Sequence, residues 1–126
     1  MKKKIPKNVN IGVDIEDVSR FGKLDRITDN IFLSKIFTEN ELKYCFSKKN
    51  RAEHLAGRFS AKESVIKALY AFDAPVVSYS EIEIINDTRG LPKVNIYNQR
   101  CKVYTIKVSI SHSKTKVLTA AIAQQK

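Results

Sequence analysis

The stretch Arg51–Tyr70, RAEHLAGRFSAKESVIKALY, is the longest uninterrupted helical pattern in the chain, and the fold is built around it. Its apolar residues recur at helical spacing and predict one buried stripe: Leu55, Phe59, Ile66 and Tyr70. At about 100° per residue, Glu63 falls inside this stripe and Lys67 follows it by one turn. A carboxylate at such a position is costly unless a cation, a hydrogen-bond network or a metal ion pairs with it. The alternative is an ordinary Glu63–Lys67 pair on a partly solvated flank of the helix.

The composition indicates one domain with a basic surface. The chain has 126 residues, which fits a single domain over 1–126 that begins with a basic lead-in at 1–8. The 23 Lys and Arg outweigh 13 Asp and Glu and give a formal net charge of +10. This charge favours anionic partners, which include nucleic acid, phosphorylated small molecules, acidic proteins and anionic membrane surfaces, and it does not choose among them.

The cysteines and the hydropathy pattern indicate the cellular compartment of the protein. Cys45 and Cys101 are isolated, so they predict free thiols in a reducing cytosol rather than a zinc site or a disulfide framework. No hydrophobic run of signal-peptide length follows the basic N-terminus, and no window approaches a transmembrane span. We therefore expect a cytoplasmic protein with no membrane partner.

A predicted strand at residues 9–15 precedes the long helix and carries an unusual acid. Its Val and Ile residues alternate and share one face, whereas Asp14 points to the other face. Aspartate is a poor strand former. Asp14 therefore either caps a short helix predicted at 16–26 or presents a ligand at the end of the strand.

The remaining pattern predicts the fold class. Residues 38–41, TENE, form a capping box that starts a helix at about 39–47. After the long helix, alternating apolar residues predict strands at 79–86, 93–97, 104–111 and 116–123. We expect an α+β domain, with a mostly antiparallel sheet wrapped on one long helix.

Basic residues recur at three-residue spacing in the predicted first helix. Arg20, Lys23 and Arg26 form a basic ridge beside the apolar positions of that segment. The ridge is either a solvated helix face or a docking surface for an acidic partner.

Three polar features are costly where they stand: Asp14, Glu63 and the strand end at 109–112. Two carboxylates from different elements are a common way to hold Mg²⁺, and nearby lysines and arginines would bind remaining phosphate charge. The pattern favours phosphoryl chemistry on a small anionic substrate, provided that Asp14 and Glu63 meet. Ser111 and His112 allow a Ser-His hydrolase only if a loop brings them together, because neighbouring strand residues point to opposite faces.

Several other classes of site are excluded. The chain has no Walker loop, no GxGxxG and no GxSxG motif. Aromatic residues make up 9% and form no row alternating with basic residues, so we expect no nucleic-acid partner.

The motifs together resemble the holo-[acyl-carrier-protein] synthase family, the short single-domain branch of the 4′-phosphopantetheinyl transferases. In chain order they are IGVDI at 11–15, RF at 20–21, LAGRFSAKESVIKA at 55–68, GLP at 90–92 and VSISHS at 108–113. They stand in the family's order over about residues 9–123. One stretch departs from the family pattern, since the loop at 71–77, AFDAPVV, lacks the glycines usual there.

The resemblance implies transfer of 4′-phosphopantetheine from coenzyme A to a serine of an apo acyl carrier protein, with release of adenosine 3′,5′-bisphosphate. It implies Mg²⁺ at Asp14 and Glu63, and catalytic roles for Glu63 and Lys67. The general base is either Glu63 or a water molecule on the metal. We expect coenzyme A contacts at Arg58, Lys62, Lys67, Pro92, Ser111 and His112.

The resemblance also implies partners. The acyl carrier protein is acidic, which favours Arg20, Lys23 and Arg26 as its docking surface, and the family's homotrimer and its role in fatty acid biosynthesis are expected here. The alternatives are a basic, non-enzymatic binding module for nucleic acid or an acidic protein, and a coenzyme A-binding member without transferase activity.

Overall fold

The computed structural model describes residues 7–126, so residues 1–6 of the predicted lead-in lie outside the described part. The strands are β1 (Val9–Asp17), β2 (Ile82–Asn86), β3 (Pro92–Ile96), β4 (Tyr104–His112) and β5 (Lys116–Gln125). The α-helices are α1 (Asn30–Ile36), α2 (Glu39–Phe46) and α3 (Arg51–Tyr70). Short 3-10 turns lie at Val18–Phe21, Tyr79–Glu81 and Gln99–Cys101. No helix in residues 7–126 is both long and apolar enough to cross a membrane.

The strands form two antiparallel sheets rather than one. The larger sheet has the order β1-β5-β4, and β2 and β3 form a separate hairpin. Gly90 in the hairpin turn has φ of 81°, the left-handed conformation that glycine adopts without strain. The α+β class and the antiparallel pairing predicted from the sequence are confirmed.

Helix α3 lies at the centre of the molecule, with the bounds that the sequence pattern predicts. The larger sheet covers one side of it and the α1–α2 segment packs against another. Leu55 and Phe59 of the predicted stripe are buried, but Tyr70 is 86% exposed, so its assignment to the core is wrong. The helix is instead buried over most of its circumference, and small or polar residues such as Ser60 and Ser64 are among its fully buried positions.

Strand β1 approaches α3 very closely at Gly12. A Cβ atom at this position would lie 1.9 Å from the carbonyl oxygen of Ser64 and 2.8 Å from the amide nitrogen of Ala68. Only glycine permits this contact, because both neighbours are helix backbone that cannot move aside. The close approach sets the height of the next inward residue of β1, Asp14, above the helix.

The predicted helix at 16–26 is wrong. Strand β1 continues to Asp17, which pairs with Lys116 of β5, and the amide of Val18 donates to the carbonyl of Thr115 at 2.9 Å. A single 3-10 turn, Val18–Phe21, follows. Pairing with β5 supplies more backbone hydrogen bonds than a short isolated helix would, and this tertiary contact overrides the local acidic pattern.

The face of the larger sheet that points away from α3 is apolar and exposed. Its exposed members include Ile11, Val13 and Ile15 of β1 and Leu118 and Ile122 of β5. The alternation seen in the sequence of β1 is therefore present, but its apolar side is the outer one. The inner side carries Gly12, Asp14 and Glu16.

Candidate active site

Asp14 lies between β1 and α3, next to a lysine of the helix. Lys67 donates from Nζ to Oδ1 of Asp14 at 3.2 Å and to the carbonyl of Val13 at 2.9 Å. The other carboxylate oxygen of Asp14, Oδ2, is buried and has no hydrogen-bond partner. An unpaired buried carboxylate oxygen is costly, so this atom is available for a cation.

Glu63 lies one turn before Lys67 on α3 and is half-buried. Its Oε1 accepts a hydrogen bond from the hydroxyl of Tyr79. This hydrogen bond, with burial and the charges of Glu63, Asp14 and Glu16, raises the pKa of Tyr79 to about 12. The charges of Asp14 and Glu63 thus both act on Tyr79, and we call these carboxylates the acidic cluster.

Glu16 is a third member of this cluster that the sequence reasoning missed. It is two residues after Asp14 on the same face of β1 and forms an ion pair with Arg20 at 2.7 Å. Burial raises the pKa of Glu16, the charges of Asp14 and Glu63 add to that rise, and Arg20 opposes it. Continuing the alternation of β1 by two residues identifies Glu16, whereas the local acidic pattern predicts a helix at that position.

The cluster fits a magnesium ion. Its donors are hard carboxylate oxygens, and Oδ2 of Asp14 is buried without a partner. Within residues 7–126, no group of three or more Asp, Glu, His or Cys side chains is placed so that the group could hold a metal ion by itself. Mg²⁺ commonly takes one or two protein carboxylates and completes its coordination with water and substrate phosphate.

A second site, a cleft of about 220 Å³, brings together three predicted coenzyme A contacts, Arg58, Pro92 and His112. Arg58 is buried, its guanidinium lies 4.3 Å from the centroid of the Tyr44 ring, and its Nε has no hydrogen-bond partner. Nδ1 of His112 contacts the carboxylate of Glu53. The cleft therefore offers a guanidinium and an imidazole to an anionic group.

Ser111 does not join this cleft. It pairs with Leu118 of β5 and is exposed on the outer face of the sheet, opposite to the face that carries His112. Within one chain, the structure separates Ser111 from the other predicted coenzyme A contacts.

Lys62 is fully buried, which contradicts its expected contact with coenzyme A. Its Nζ donates to Glu41 Oε1 at 2.6 Å and to three backbone carbonyls: Ile36 at 2.7 Å, Tyr79 at 3.0 Å and Ile82 at 2.7 Å. Both Lys62 and Glu41 side chains are 0% exposed. The ammonium group has no surface on which a ligand can meet it, so Lys62 joins α3 to its neighbours instead.

The basic ridge is present but is not on a helix. Arg20 lies in the 3-10 turn after β1, bound to Glu16 and 5.5 Å from the centroid of the Phe59 ring. Arg26 donates to both carboxylate oxygens of Glu39, at 2.7 and 2.9 Å, and Lys23 is exposed. Exposed apolar side chains lie along the same segment: Ile27, Ile31 and Phe32.

The glycine-free loop at 71–77 contains a residue in the left-handed conformation. Asp73 has φ of 57°, a region that favours glycine and that aspartate tolerates better than most residues. The loop thus takes a glycine-like backbone conformation at one position without a glycine.

Known proteins resemble this chain over nearly its full length. The sequence model of the 4′-phosphopantetheinyl transferase superfamily matches residues 10–123. A holo-[acyl-carrier-protein] synthase of Caldicellulosiruptor saccharolyticus is 40% identical over 122 residues, which cover 92% of this chain and 96% of the relative. One of Chlamydia trachomatis is 39% identical over 116 residues, covering 90% and 98%. The solved holo-(acyl-carrier-protein) synthase of Bacillus anthracis, in complex with CoA (3′,5′-ADP), has a TM-score of 0.75 and 31% identity, covering 93% and 96% of the two chains.

Proposed function

Because the chain belongs to the 4′-phosphopantetheinyl transferase superfamily, as one of its holo-[acyl-carrier-protein] synthases, we propose that it transfers 4′-phosphopantetheine from coenzyme A to an apo acyl carrier protein. The serine oxygen of the carrier attacks the phosphorus next to the pantetheine. The new bond joins serine oxygen to phosphorus, and the pyrophosphate bond breaks. Adenosine 3′,5′-bisphosphate leaves with the bonding electrons, and the serine proton passes to a base.

The observation that carries this proposal is the unpaired, buried Oδ2 of Asp14 within the acidic cluster that includes Glu63. We assign Mg²⁺ to Asp14 and Glu63, with Glu16 adding negative charge beside them. The ion, when bound, supplies positive charge to the pyrophosphate oxygens as negative charge develops on the leaving group.

Lys67 supplies a second positive charge at the same place. Its ammonium group is held by Asp14 and the carbonyl of Val13, yet its side chain remains 52% exposed. A lysine held in place but open to the surface can donate to phosphate oxygens of a bound ligand. The serine proton passes to Glu63 or to a water molecule at this site.

We assign the phosphorylated nucleotide end of coenzyme A to the cleft lined by Arg58, Pro92 and His112. The unpaired Nε of Arg58 supports this assignment, because a buried guanidinium donor without an acceptor favours an anionic ligand. Glu53 holds Nδ1 of His112, which leaves Nε2 of the imidazole for the ligand.

We assign carrier docking to the segment after β1. Arg20, Lys23 and Arg26 supply positive charge, and the exposed side chains of Ile27 and Ile31, 83% and 76% exposed, supply apolar surface beside them. Charge complementarity to an acidic partner steers association, and an adjacent apolar contact adds affinity.

We also propose a homotrimer, a cytoplasmic location and a role in fatty acid biosynthesis. The apolar outer face of the larger sheet supports the oligomer, because a monomer rarely exposes a contiguous patch of this kind. The isolated, buried cysteines agree with a reducing compartment. The biosynthetic role follows from the family.

A direct transfer assay tests the proposal. The protein is incubated with coenzyme A, Mg²⁺ and an apo acyl carrier protein from a matching source, and the carrier is weighed by mass spectrometry. We expect the carrier serine to gain one phosphopantetheine mass, and Asp14→Ala and Glu63→Ala to abolish that gain while circular dichroism shows both variants folded. No mass gain on a carrier that a related synthase modifies in parallel would refute the proposed function, and full activity of either variant would refute the metal assignment.

A further inference from the structure

Tyr79 contacts three residues on one face of α3. Its ring lies 5.4 Å from the centroid of the Phe59 ring, and its carbonyl accepts from Lys62 Nζ at 3.0 Å. Its hydroxyl donates to Oε1 of Glu63. Lys62 and Glu63 follow Phe59 by three and four residues, so each lies next to Phe59 on the helix surface. The helix therefore holds Tyr79 at its ring, its backbone and its hydroxyl.

The backbone contact of Tyr79 belongs to the buried polar cluster around Lys62 and Glu41. Lys62 Nζ also binds Glu41 and the carbonyl of Ile82, where β2 begins. These contacts fix the 3-10 turn Tyr79–Glu81 against α3 whether or not the hydroxyl of Tyr79 has a partner. The hydroxyl contact with Glu63 is thus an addition to a turn that is already anchored.

We propose that Tyr79 is a positioning residue, whose hydroxyl holds one oxygen of Glu63 so that the other is directed to the metal ion. This inference rests on the proposed metal assignment to Asp14 and Glu63. A free glutamate side chain samples several rotamers, and a hydrogen bond to Oε1 removes most of them before the ion arrives. Partners of metal ligands that act in this way change metal affinity by roughly 10- to 100-fold when removed.

A purely structural role for the hydroxyl makes a different prediction. In that case Tyr79→Phe, which keeps the ring contact with Phe59 and the backbone contact with Lys62, changes thermal stability and leaves metal affinity unaltered. Metal affinity measured apart from turnover therefore separates the two roles.

The chain offers a matched control in Tyr97. Its hydroxyl donates to Oε1 of Glu83 at 2.9 Å, so Tyr97→Phe removes the same kind of hydrogen bond. Tyr97 lies just after β3, and Glu83 bonds to Thr38 and Asn40 rather than to the acidic cluster. The control thus reports the general effect of losing a tyrosine–glutamate hydrogen bond.

The experiment titrates Mn²⁺, as a spectroscopic probe for Mg²⁺, into the full-length protein and follows free Mn²⁺ by electron paramagnetic resonance. Asp14→Asn defines binding without the site. We expect the dissociation constant for Tyr79→Phe to rise about tenfold and that for Tyr97→Phe to stay within about twofold of the unaltered protein.

Equal Mn²⁺ affinity of Tyr79→Phe and the unaltered protein would overturn the inference, whatever the change in thermal stability. An equal loss in Tyr97→Phe would overturn it as well, since the effect would not be specific to Glu63. If the unaltered protein binds Mn²⁺ no better than Asp14→Asn, the metal assignment and the role of Tyr79 both fall. The transfer assay above decides the proposed reaction separately, so the two failures are distinguishable.

Discussion

Two lysine–carboxylate pairs lie close together around α3 and differ in how completely they are satisfied. Lys62 and Glu41 are both 0% exposed and 2.6 Å apart, and both oxygens of Glu41 accept hydrogen bonds, including one from the amide of Ile84. Lys67 and Asp14 are 3.2 Å apart, Lys67 is 52% exposed, and Oδ2 of Asp14 has no partner. The first pair has nothing left to bind, whereas the second has an open oxygen and an accessible cation.

Similar groups thus serve the fold or the chemistry according to the hydrogen-bonding capacity that they have left. Nζ of Lys62 lies within hydrogen-bond distance of four oxygens from the segments that surround α3, and it joins the helix to α1, α2 and β2. Its neighbour in sequence, Glu63, points to the acidic cluster. A one-residue step along α3 therefore separates a structural site from the candidate active site.

The largest expected effect on stability is at the buried Lys62–Glu41 pair. Lys62→Met leaves the carboxylate of Glu41 buried without its cation, and we expect a loss of about 3–5 kcal/mol in the free energy of unfolding. Lys67→Met is the matched control, because it makes the same change at the exposed lysine, and we expect a loss below about 1 kcal/mol. Urea denaturation of both variants measures the difference, and similar losses would contradict the distinction between the two pairs.

A smaller effect on stability, with a large effect on activity, is expected in the acidic cluster. Glu63→Gln removes a negative charge beside Asp14 and Glu16 while keeping the side-chain shape. We expect the free energy of unfolding to change by less than about 1 kcal/mol and the transfer rate to fall at least about 100-fold. Urea denaturation and the mass-spectrometric transfer assay test both parts. A folded variant with normal transfer would remove Glu63 from the metal site.

The region around the buried Lys62–Glu41 pair is only partly predictable from the sequence. The bounds of α3 and the capping box of α2 follow from local patterns, and the structure has both, with Thr38 accepting from the Glu41 amide and Glu41 accepting from the Thr38 amide. The burial of Lys62 does not follow from any local pattern. It depends on the carbonyls of Ile36, Tyr79 and Ile82, which only the tertiary fold brings together.

The candidate active site was likewise only partly predictable from the sequence. Asp14, Glu63 and Lys67 stand out in the sequence because they are costly or charged beside apolar positions, and in the structure Lys67 contacts Asp14. Tyr79 was predicted to begin a strand, but it lies in a 3-10 turn that precedes β2. Its contact with Glu63 depends on that turn and on its packing against Phe59, so alternation in the sequence could not predict it.

The smallest expected effect is a dependence of stability on pH that arises from Cys45, which lies near the buried Lys62–Glu41 pair. Cys45 is fully buried near Glu41, Lys62 and Arg58, and burial raises the pKa of its thiol from 9.0 to about 12. The unfolded thiol ionises first as pH rises, so the contribution of Cys45 to stability is complete below pH 9 and declines between pH 9 and about 12.

Comparison with Cys45→Ala isolates this contribution from other groups. We expect the stability advantage of the unaltered protein over Cys45→Ala to shrink by about 1 kcal/mol between pH 8 and pH 10, measured by urea denaturation at each pH. An advantage that stays constant or grows over this range would show that the environment of Cys45 is more open than the fold implies.

We have proposed that Asp14 and Glu63 bind a metal ion that in turn holds coenzyme A. Isothermal titration calorimetry of coenzyme A, with and without Mg²⁺, tests this proposal in the unaltered protein, in Asp14→Asn and in the control Asp29→Asn. Asp29 is a suitable control because its carboxylate accepts a hydrogen bond from the Asp25 amide within a loop. We expect Mg²⁺ to tighten coenzyme A binding at least about tenfold in the unaltered protein and in Asp29→Asn, and to have no effect in Asp14→Asn. Equal binding with and without Mg²⁺ in the unaltered protein, or an undiminished Mg²⁺ effect in Asp14→Asn, would contradict it.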